Sequence, residues 1–233
     1  MSDGVVNDPV QAHFSNSEAV ARYAEGPPRF VPGFADIHRM TSVLLRERMP
    51  ENGSLLVLGA GGGLELKSLS EWNPGWTFVG IDPSAEMLAL ARTVAEGARD
   101  RVEFVHGYID DAPAGPFAGA TCLLTLHFLD RRERLRTLQA VRQRLSPGAP
   151  FIVAHSSFPQ SPDVRSQWLL RYRNFAVAAG AEAENAEHWR RTVEEQLTLL
   201  SPEEDEDLLQ ETGFAQITSF YAAFTWRGWV AYA

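Results

Sequence analysis

The amino-acid sequence predicts an α/β fold: a doubly wound sheet of seven strands, the last one antiparallel, with a helical insertion after the fifth strand. Three observations predict it. Strand-like and helix-like segments alternate through the middle of the chain, as they do when parallel strands are joined by helical crossovers. The first strand, Ser54 to Leu58, is a continuous apolar run, which suits a strand covered on both faces. The tail, Phe214 to Tyr221 and Phe224 to Tyr232, is aromatic and β-like with no helix between its halves, most simply an antiparallel pair.

Each element follows in order. Residues 16–25 read as a short helix. Gly26-Pro27-Pro28-Arg29-Phe30-Val31-Pro32-Gly33 reads as a loop, because its prolines remove donors and fix φ. Residues 35–48 read as a helix, with Ile37, Met40, Val43, Leu44 and Met49 near helical spacing and Pro50 as the stop. The first strand leads into a glycine turn and a helix over 63–72. Thr77 to Ile81 is the second strand; the helix over 84–98 is entered through Pro83-Ser84 and left at Gly97. Val102 to Val105 is the third strand, and Thr121 to Leu126, after the Pro/Gly-rich loop 112–119, is the fourth. The helix over 130–145 stops at Ser146-Pro147-Gly148, ahead of a fifth strand from Phe151 to His155. Two helices then follow without a strand between them, over 162–180 and 186–197, and a third covers 202–211 and ends at Gly213. The domain reading is an N-terminal cap segment over 1–34 and one domain over 35–233. Its insertion, about 162–197, is expected above the carboxyl ends of the strands, where ligands bind in such sheets.

Composition narrows the function classes. The net charge of −9 disfavours direct binding to nucleic acid, which needs cations to neutralise phosphates. One predicted helix crowds Arg131, Arg132, Arg134, Arg136, Arg142 and Arg144; the expected role of that cluster is a solvated face, with a patch for nucleic acid or an acidic partner as the competing reading. No apolar run approaches the ~20 residues that span a bilayer, and Met1-Ser2-Asp3-Gly4 lacks the features of a signal peptide. A cytoplasmic protein without membrane contact is expected. Cys122 is the only cysteine, so it can form no intrachain disulfide and is expected in the core. No His/Asp/Glu spacing suits a metal, so none is expected.

The chemistry-bearing constellation is strand, glycine turn, helix, strand, acid, a Rossmann-like arrangement. Gly59, Gly61 and Gly63 follow the first strand, where the missing Cβ permits a sharp turn and close approach of backbone to a ligand. Asp82 ends the second strand, 23 positions beyond Gly59, where an acid can accept hydrogen bonds from a ribose diol. The competing reading is a tight turn followed by a helix-capping aspartate. The dinucleotide fingerprint needs a glycine in the sixth position of the turn, and Leu64 stands there. No Gly-Lys-Ser/Thr is present, so a Walker loop is excluded as well. Glycines in first, third and fifth positions suit a ligand with no pyrophosphate, such as an adenosyl sulfonium.

The segments Leu55-Leu56-Val57-Leu58-Gly59-Ala60-Gly61-Gly62-Gly63, Phe78-Val79-Gly80-Ile81-Asp82-Pro83-Ser84, Leu124-Thr125-Leu126-His127-Phe128-Leu129 and Leu145-Ser146-Pro147-Gly148-Ala149 resemble class I S-adenosylmethionine-dependent methyltransferases, over roughly residues 35–232. The resemblance implies S-adenosylmethionine as cofactor, held by Phe34, Gly59, Ala60, Gly61, Gly63, Asp82, Pro83, Tyr108, Ile109, Leu124 and Thr125. Val31-Pro32-Gly33-Phe34, the segment from Leu124 to Leu129 and the insertion resemble more closely the carboxy-S-adenosylmethionine synthase branch. That branch makes a carboxylated cofactor from S-adenosylmethionine and prephenate for wobble-uridine modification of tRNA. Counted back without gaps from Gly213-Phe214, Arg190 falls where the branch keeps an arginine for the extra carboxylate, with Arg191 beside it. Four departures remove polar groups from the implied pocket. Val57 replaces the acid common in the first strand of methyltransferases, and Tyr108 an acid near the adenine. Phe34 replaces the branch's tyrosine, and Leu123 its asparagine.

Methyl transfer from a sulfonium needs no acid for its leaving group, so the protein chiefly positions the reactants; a base is needed only for a protonated nucleophile. His127, just after the fourth strand, is the candidate base, with a structural histidine as the competing reading. His155, beside Ser156 and Ser157, is a weaker one, and His188, beside Trp189 and Arg190, could line a lid. Trp168, Tyr172, Phe175 and Trp189 could wall an apolar acceptor pocket or pack the insertion. Phe14, Tyr23 and Phe30 could close over the cofactor. The leading expectation is methyl transfer to a small-molecule substrate by a protein compatible with a homodimer. The alternatives are a synthase or user of carboxy-S-adenosylmethionine and a non-catalytic binding or assembly protein.

Overall fold

The computed structural model describes residue 20 and residues 23–233. The expected helix over 16–25 lies mostly outside the described residues, as does Phe14; Tyr23–Glu25 is a 3-10 turn. The segment expected as a loop begins with a helix, α1 (Gly26–Phe30). Its prolines fall in the first turn, where a helix needs no N–H, so they favour the helix instead of forbidding it. Next come α2 (Phe34–Arg46), β1 (Ser54–Leu58), α3 (Leu64–Trp72), β2 (Thr77–Asp82), α4 (Ala85–Val94), β3 (Val102–His106) and β4 (Gly119–Leu123). The chain continues through α5 (Arg131–Gln143), β5 (Pro150–Ser156), α6 (Pro162–Ala178), α7 (Ala183–Gln196), α8 (Pro202–Glu211), β6 (Ala215–Ala223) and β7 (Trp226–Tyr232).

The seven strands form one sheet in the order β3-β2-β1-β4-β5-β7-β6. β1 to β5 are parallel, and β7 runs antiparallel to both β5 and β6. The predicted doubly wound sheet with its reversed last strand is therefore the observed one. Alternate residues of β1 enter opposite layers. Leu55 and Val57 join Leu66, Leu69 and Phe78 on one face, and Leu56 and Leu58 join Cys122, Val141 and Trp229 on the other. Burial on both faces is why the strand reads as an unbroken apolar run.

Local chemistry sets several boundaries. Ser84 caps α4 by accepting from Met87 N, and Asp130 caps α5 by accepting from Glu133 N. Ser201 and Glu204 form a capping box on α8. The helix expected over 84–98 breaks after Val94 into a 3-10 turn, Glu96–Arg101. The fourth strand starts two residues before its expected position and stops at Leu123, not Leu126. Leu124 turns into the left-handed region, φ 57°, and Leu126–Phe128 coils into a 3-10 turn.

The arginine-rich α5 is also corrected. Its expected solvated face is in part an internal one. Arg134 is fully buried, Arg142 donates to Gly213 O at 2.8 Å, and Arg144 donates to Ala140 O at 3.0 Å. Arg131 pairs with Glu211 and Arg136 with Asp110. The cluster fixes α5 to its own fold. No helix among the described residues is long and apolar enough to cross a membrane.

Candidate functional site

β1 and β4 are neighbours, and the strand order reverses between them. This is the topological switch point, whose carboxyl end forms a crevice in open α/β sheets. Two loops leave the sheet there: Gly59–Gly63 after β1 and Leu124-Thr125 after β4. They touch, because a Cβ on Gly59 would overlap the Thr125 side chain. Gly59 and Ala60 both donate to Ile81 O at 2.9 Å, which ties the glycine turn to the end of β2.

Asp82 closes that end of β2 and is 8% exposed. Its Oδ2 accepts from Gly61 N at 2.8 Å and its Oδ1 from Ser84 N at 2.9 Å. Burial raises the carboxyl above its ordinary pKa, while the two backbone N–H groups and His106 act against that rise. Each oxygen keeps a second lone pair, so the carboxylate is rigidly aimed and still able to accept from a diol. The competing reading, a tight turn with a helix-capping aspartate, also accounts for the bonds to Gly61 and Ser84, although the side chain that caps α4 is that of Ser84. His106 Nε2 lies 3.0 Å from Pro83 O. Pro83 itself is exposed beside Asp82.

The three glycines have left-handed φ values of 74°, 52° and 83°. Their close approaches are to the protein itself. A Cβ on Gly63 would lie 2.7 Å from Ala91 Cα, so Gly63 lets α3 and α4 meet. The Tyr23 ring covers Gly61 and Gly62, with its hydroxyl 3.1 Å from a Cβ built on Gly61. Burial, with the Asp82 and Glu65 carboxylates nearby, pushes the Tyr23 phenol up. Tyr23 thus reaches the loop.

Tyr108 and Ile109 follow β3, and Asp82 is the register partner of His106 at that strand's end. The Tyr108 ring is half exposed, its backbone N donates to Asp111 Oδ2 at 2.9 Å, and Ile109 is buried. Phe34 opens α2 and packs edge-on against His38, ring centres 4.7 Å apart. Its turn is pinned to the far sheet edge: Tyr221 Oη donates to Pro32 O at 2.6 Å and Trp226 Nε1 to Phe30 O at 2.9 Å. Leu124 N donates to Ala154 O at 2.6 Å. Strain in a leucine at positive φ at this crevice is the kind of outlier that marks functional loops.

His127 is buried and packs edge-on against Trp226 at 5.7 Å. Its Nδ1 accepts from Ser156 N at 3.4 Å. Burial, then the charges of His155 and Arg134, hold the imidazole well below its ordinary pKa, so it is neutral at pH 7. His155 sits in a separate buried group: its Nε2 is 3.0 Å from Asp205 Oδ2, and Arg134 Nη1 donates to Asp205 Oδ1 at 2.6 Å. Arg190 lies away from the glycine loop along the chain, on α7. Its guanidinium donates to Glu187 at 3.0 Å and to Glu194 at 2.6 Å, and Arg191 also donates to Glu187. Tyr172 and Trp189 pack on Phe30 at 5.4 and 6.5 Å, Phe175 packs on Phe224 at 5.8 Å, and Arg171 stacks over Trp168. These aromatics join the insertion to α1 and the β6–β7 turn.

Sequence reasoning missed Glu65. It was legible only as an acid on the same helical face as Leu66 and Leu69, the apolar side of the predicted helix. The structure buries it at 7% exposure, and burial pushes its carboxyl up to about 7, with the Thr121 hydroxyl acting the other way.

Comparison with known proteins bears on the fold. Residues 55–148 match the model of a methyltransferase domain. The chain is 17% identical to a putative O-methyltransferase from Nostoc punctiforme, with a TM-score of 0.67 over 100% of this chain and 63% of the other. It is 13% identical to human N-acetylserotonin methyltransferase, solved with S-adenosylmethionine, with a TM-score of 0.63 over 97% of this chain and 59% of the other. The chain thus spans about three fifths of the length of those solved structures. The solved structures share the fold of this chain, and the segment over residues 55–148, from β1 to the turn before β5, is similar to a methyltransferase domain. Along nearly its whole length it is similar to carboxy-S-adenosyl-L-methionine synthases. It is 26% identical to that of Desulfotalea psychrophila over 93% of this chain and 90% of the relative. It is 24% identical to that of Staphylococcus epidermidis over 96% of both.

Proposed function

We propose that this protein binds S-adenosylmethionine on the loop Gly59–Gly63 and Asp82 and moves its methyl group to a small-molecule acceptor. The observation that carries the reading is the Asp82 carboxylate, fixed by Gly61 N and Ser84 N at the switch point with lone pairs to spare for a ribose diol. The cofactor supplies an activated methyl group on a sulfonium. The chain's part is to hold and shield the reactants: Tyr108 and Ile109 beside the adenine, Gly59, Ala60, Gly61 and Gly63 under the amino-acid end, and Phe34, Leu124 and Thr125 around the reacting centre. Neutral, buried His127 fits a structural role better than that of a base. A cytoplasmic homodimer belongs to the same reading, and sedimentation of the purified protein tests the dimer. Calorimetry with S-adenosylhomocysteine tests the cofactor; absence of any binding would sink the reading and favour a non-catalytic role.

A second reading is favoured by the end-to-end similarity to the synthases: the ligand made or used is the carboxylated cofactor. It asks Arg190 to give up Glu187 and Glu194 for a ligand carboxylate. Mass spectrometry of ligand carried through purification separates the two readings. Undiminished binding of carboxy-S-adenosylmethionine to an Arg190→Ala variant would count against the second.

A further inference from the structure

Glu65 sits in the first turn of α3, two residues beyond Gly63. Its neighbours Leu66 and Leu69 enter the layer that contains Val57. Its carboxyl lies beside the Thr121 hydroxyl, and Thr121 is the register partner of Val57 across β1 and β4. Register partners on adjacent strands point to the same face of a sheet. The carboxyl is therefore delivered next to the β1 position where Val57 replaces an acid. Glu65 Oε1 and Thr121 Oγ1 are both buried; the neighbouring Thr121 hydroxyl is the one group that favours the charged carboxyl, and no ion pair to Glu65 is found among the described residues. Tyr23, which lies on Gly61, is close enough for its phenol to be influenced by both Glu65 and Asp82. Glu65 and Asp82 thus both lie within electrostatic reach of the Tyr23 phenol. A buried carboxylate left unpaired is costly, and its natural complement is a cation with N–H donors.

We propose that Glu65 binds the α-ammonium of the cofactor's methionine portion, replacing from α3 the acid that β1 lacks at Val57. The inference rests on the S-adenosylmethionine reading above. That ligand has one primary ammonium, at the end opposite its adenine. With Asp82 at the ribose and Glu65 at the ammonium, the two acids would grip the ligand on either side of the glycine turn. Glu65 would also favour ligands that keep the amino group over the bare nucleoside.

The test is calorimetric, with three ligands: S-adenosylhomocysteine, its deamino analogue, and 5′-methylthioadenosine, which lacks the amino-acid portion. The unaltered protein is expected to bind S-adenosylhomocysteine at least tenfold more tightly than the deamino analogue. Glu65→Gln is expected to weaken S-adenosylhomocysteine at least tenfold and to leave 5′-methylthioadenosine within twofold. Adding Val57→Asp to that variant should recover part of the loss. Equal weakening of both nucleosides would make Glu65 a structural residue and overturn the proposal, as would a deamino analogue that binds the unaltered protein as tightly as its parent. The second comparison needs no variant, so it decides the matter even if Glu65→Gln fails to fold. If the unaltered protein binds none of the three, the cofactor reading itself fails and takes this inference with it. If the nucleosides bind but the amino group makes no difference, only the role of Glu65 fails.

Discussion

Burial holds the Glu65 carboxyl at about 7, against an ordinary value of 4.5. Between those values the folded protein binds more protons at this residue than the unfolded chain does. Stability from this residue is thus full below pH 4.5 and is lost as pH rises through 7, by about 3 kcal/mol at most. His38 runs the opposite way in the same range. Burial lowers its pKa from 6.5 to about 4, so its contribution is present above 6.5 and is lost as pH falls toward 4. The whole-protein curve therefore mixes two opposing slopes, and a variant isolates one. Ligand-free Glu65→Gln is expected to be more stable than the unaltered protein at pH 8 by about 1–3 kcal/mol, with the difference vanishing near pH 4.5. Urea titrations at the two pH values check it; an equal difference at both would show that the acid is not the cause. Asp82 was legible in the sequence because strand-end acids recur at that spacing. Glu65 was marked only by its place beside Leu66 and Leu69 on the apolar side of the helix, which does not by itself tell a buried acid from one in a solvated first turn.

Among elements, the βα unit from β1 to α4 concentrates the backbone constraint. Gly63 combines a φ of 83° with the close approach of the Ala91 backbone. Gly63→Ala is expected to cost about 2–4 kcal/mol, from left-handed strain plus overpacking between α3 and α4. Gly97 has no atom within 4 Å of a built Cβ and no positive φ, so Gly97→Ala should be neutral or stabilising by a few tenths of a kcal/mol. Denaturant midpoints of the two variants make the comparison, and equal losses would contradict it. The glycine pattern was visible in the sequence, but the division of labour was not. Gly59 makes room for Thr125, Gly61 and Gly62 for Tyr23, and Gly63 for Ala91, three partners at very different distances along the chain. The same limit explains α1: prolines in Gly26–Phe30 stop a helix or start one according to their position in the turn, and that position is fixed by the docking of Phe30 on Tyr172 and Trp189.

At the scale of the molecule, one buried ion group joins the two halves of the chain. Arg134 on α5 is 0% exposed and donates to Asp205 on α8 and to Thr198 O at 2.8 Å, with His155 of β5 on the other Asp205 oxygen. Asp205→Ala would leave the Arg134 charge buried and unpaired, and a loss of about 3–5 kcal/mol in urea unfolding is expected. Arg131→Ala, at the solvated pair with Glu211 on the same helix, should change stability little; similar losses for both would show that burial does not set the value of these pairs. The sequence by itself determined the alternation of strands and helices, the reversed final pairing and the glycine turn with its acid, because each depends on periodicity, local turn chemistry or short spacing. The tertiary structure alone decided which arginine is buried, where β4 ends, that Arg190 is held by its own helix, and that Glu65 is buried beside Thr121. Those outcomes depend on residues far apart in sequence, and a charged side chain carries no local mark of whether folding will leave it in water or enclose it.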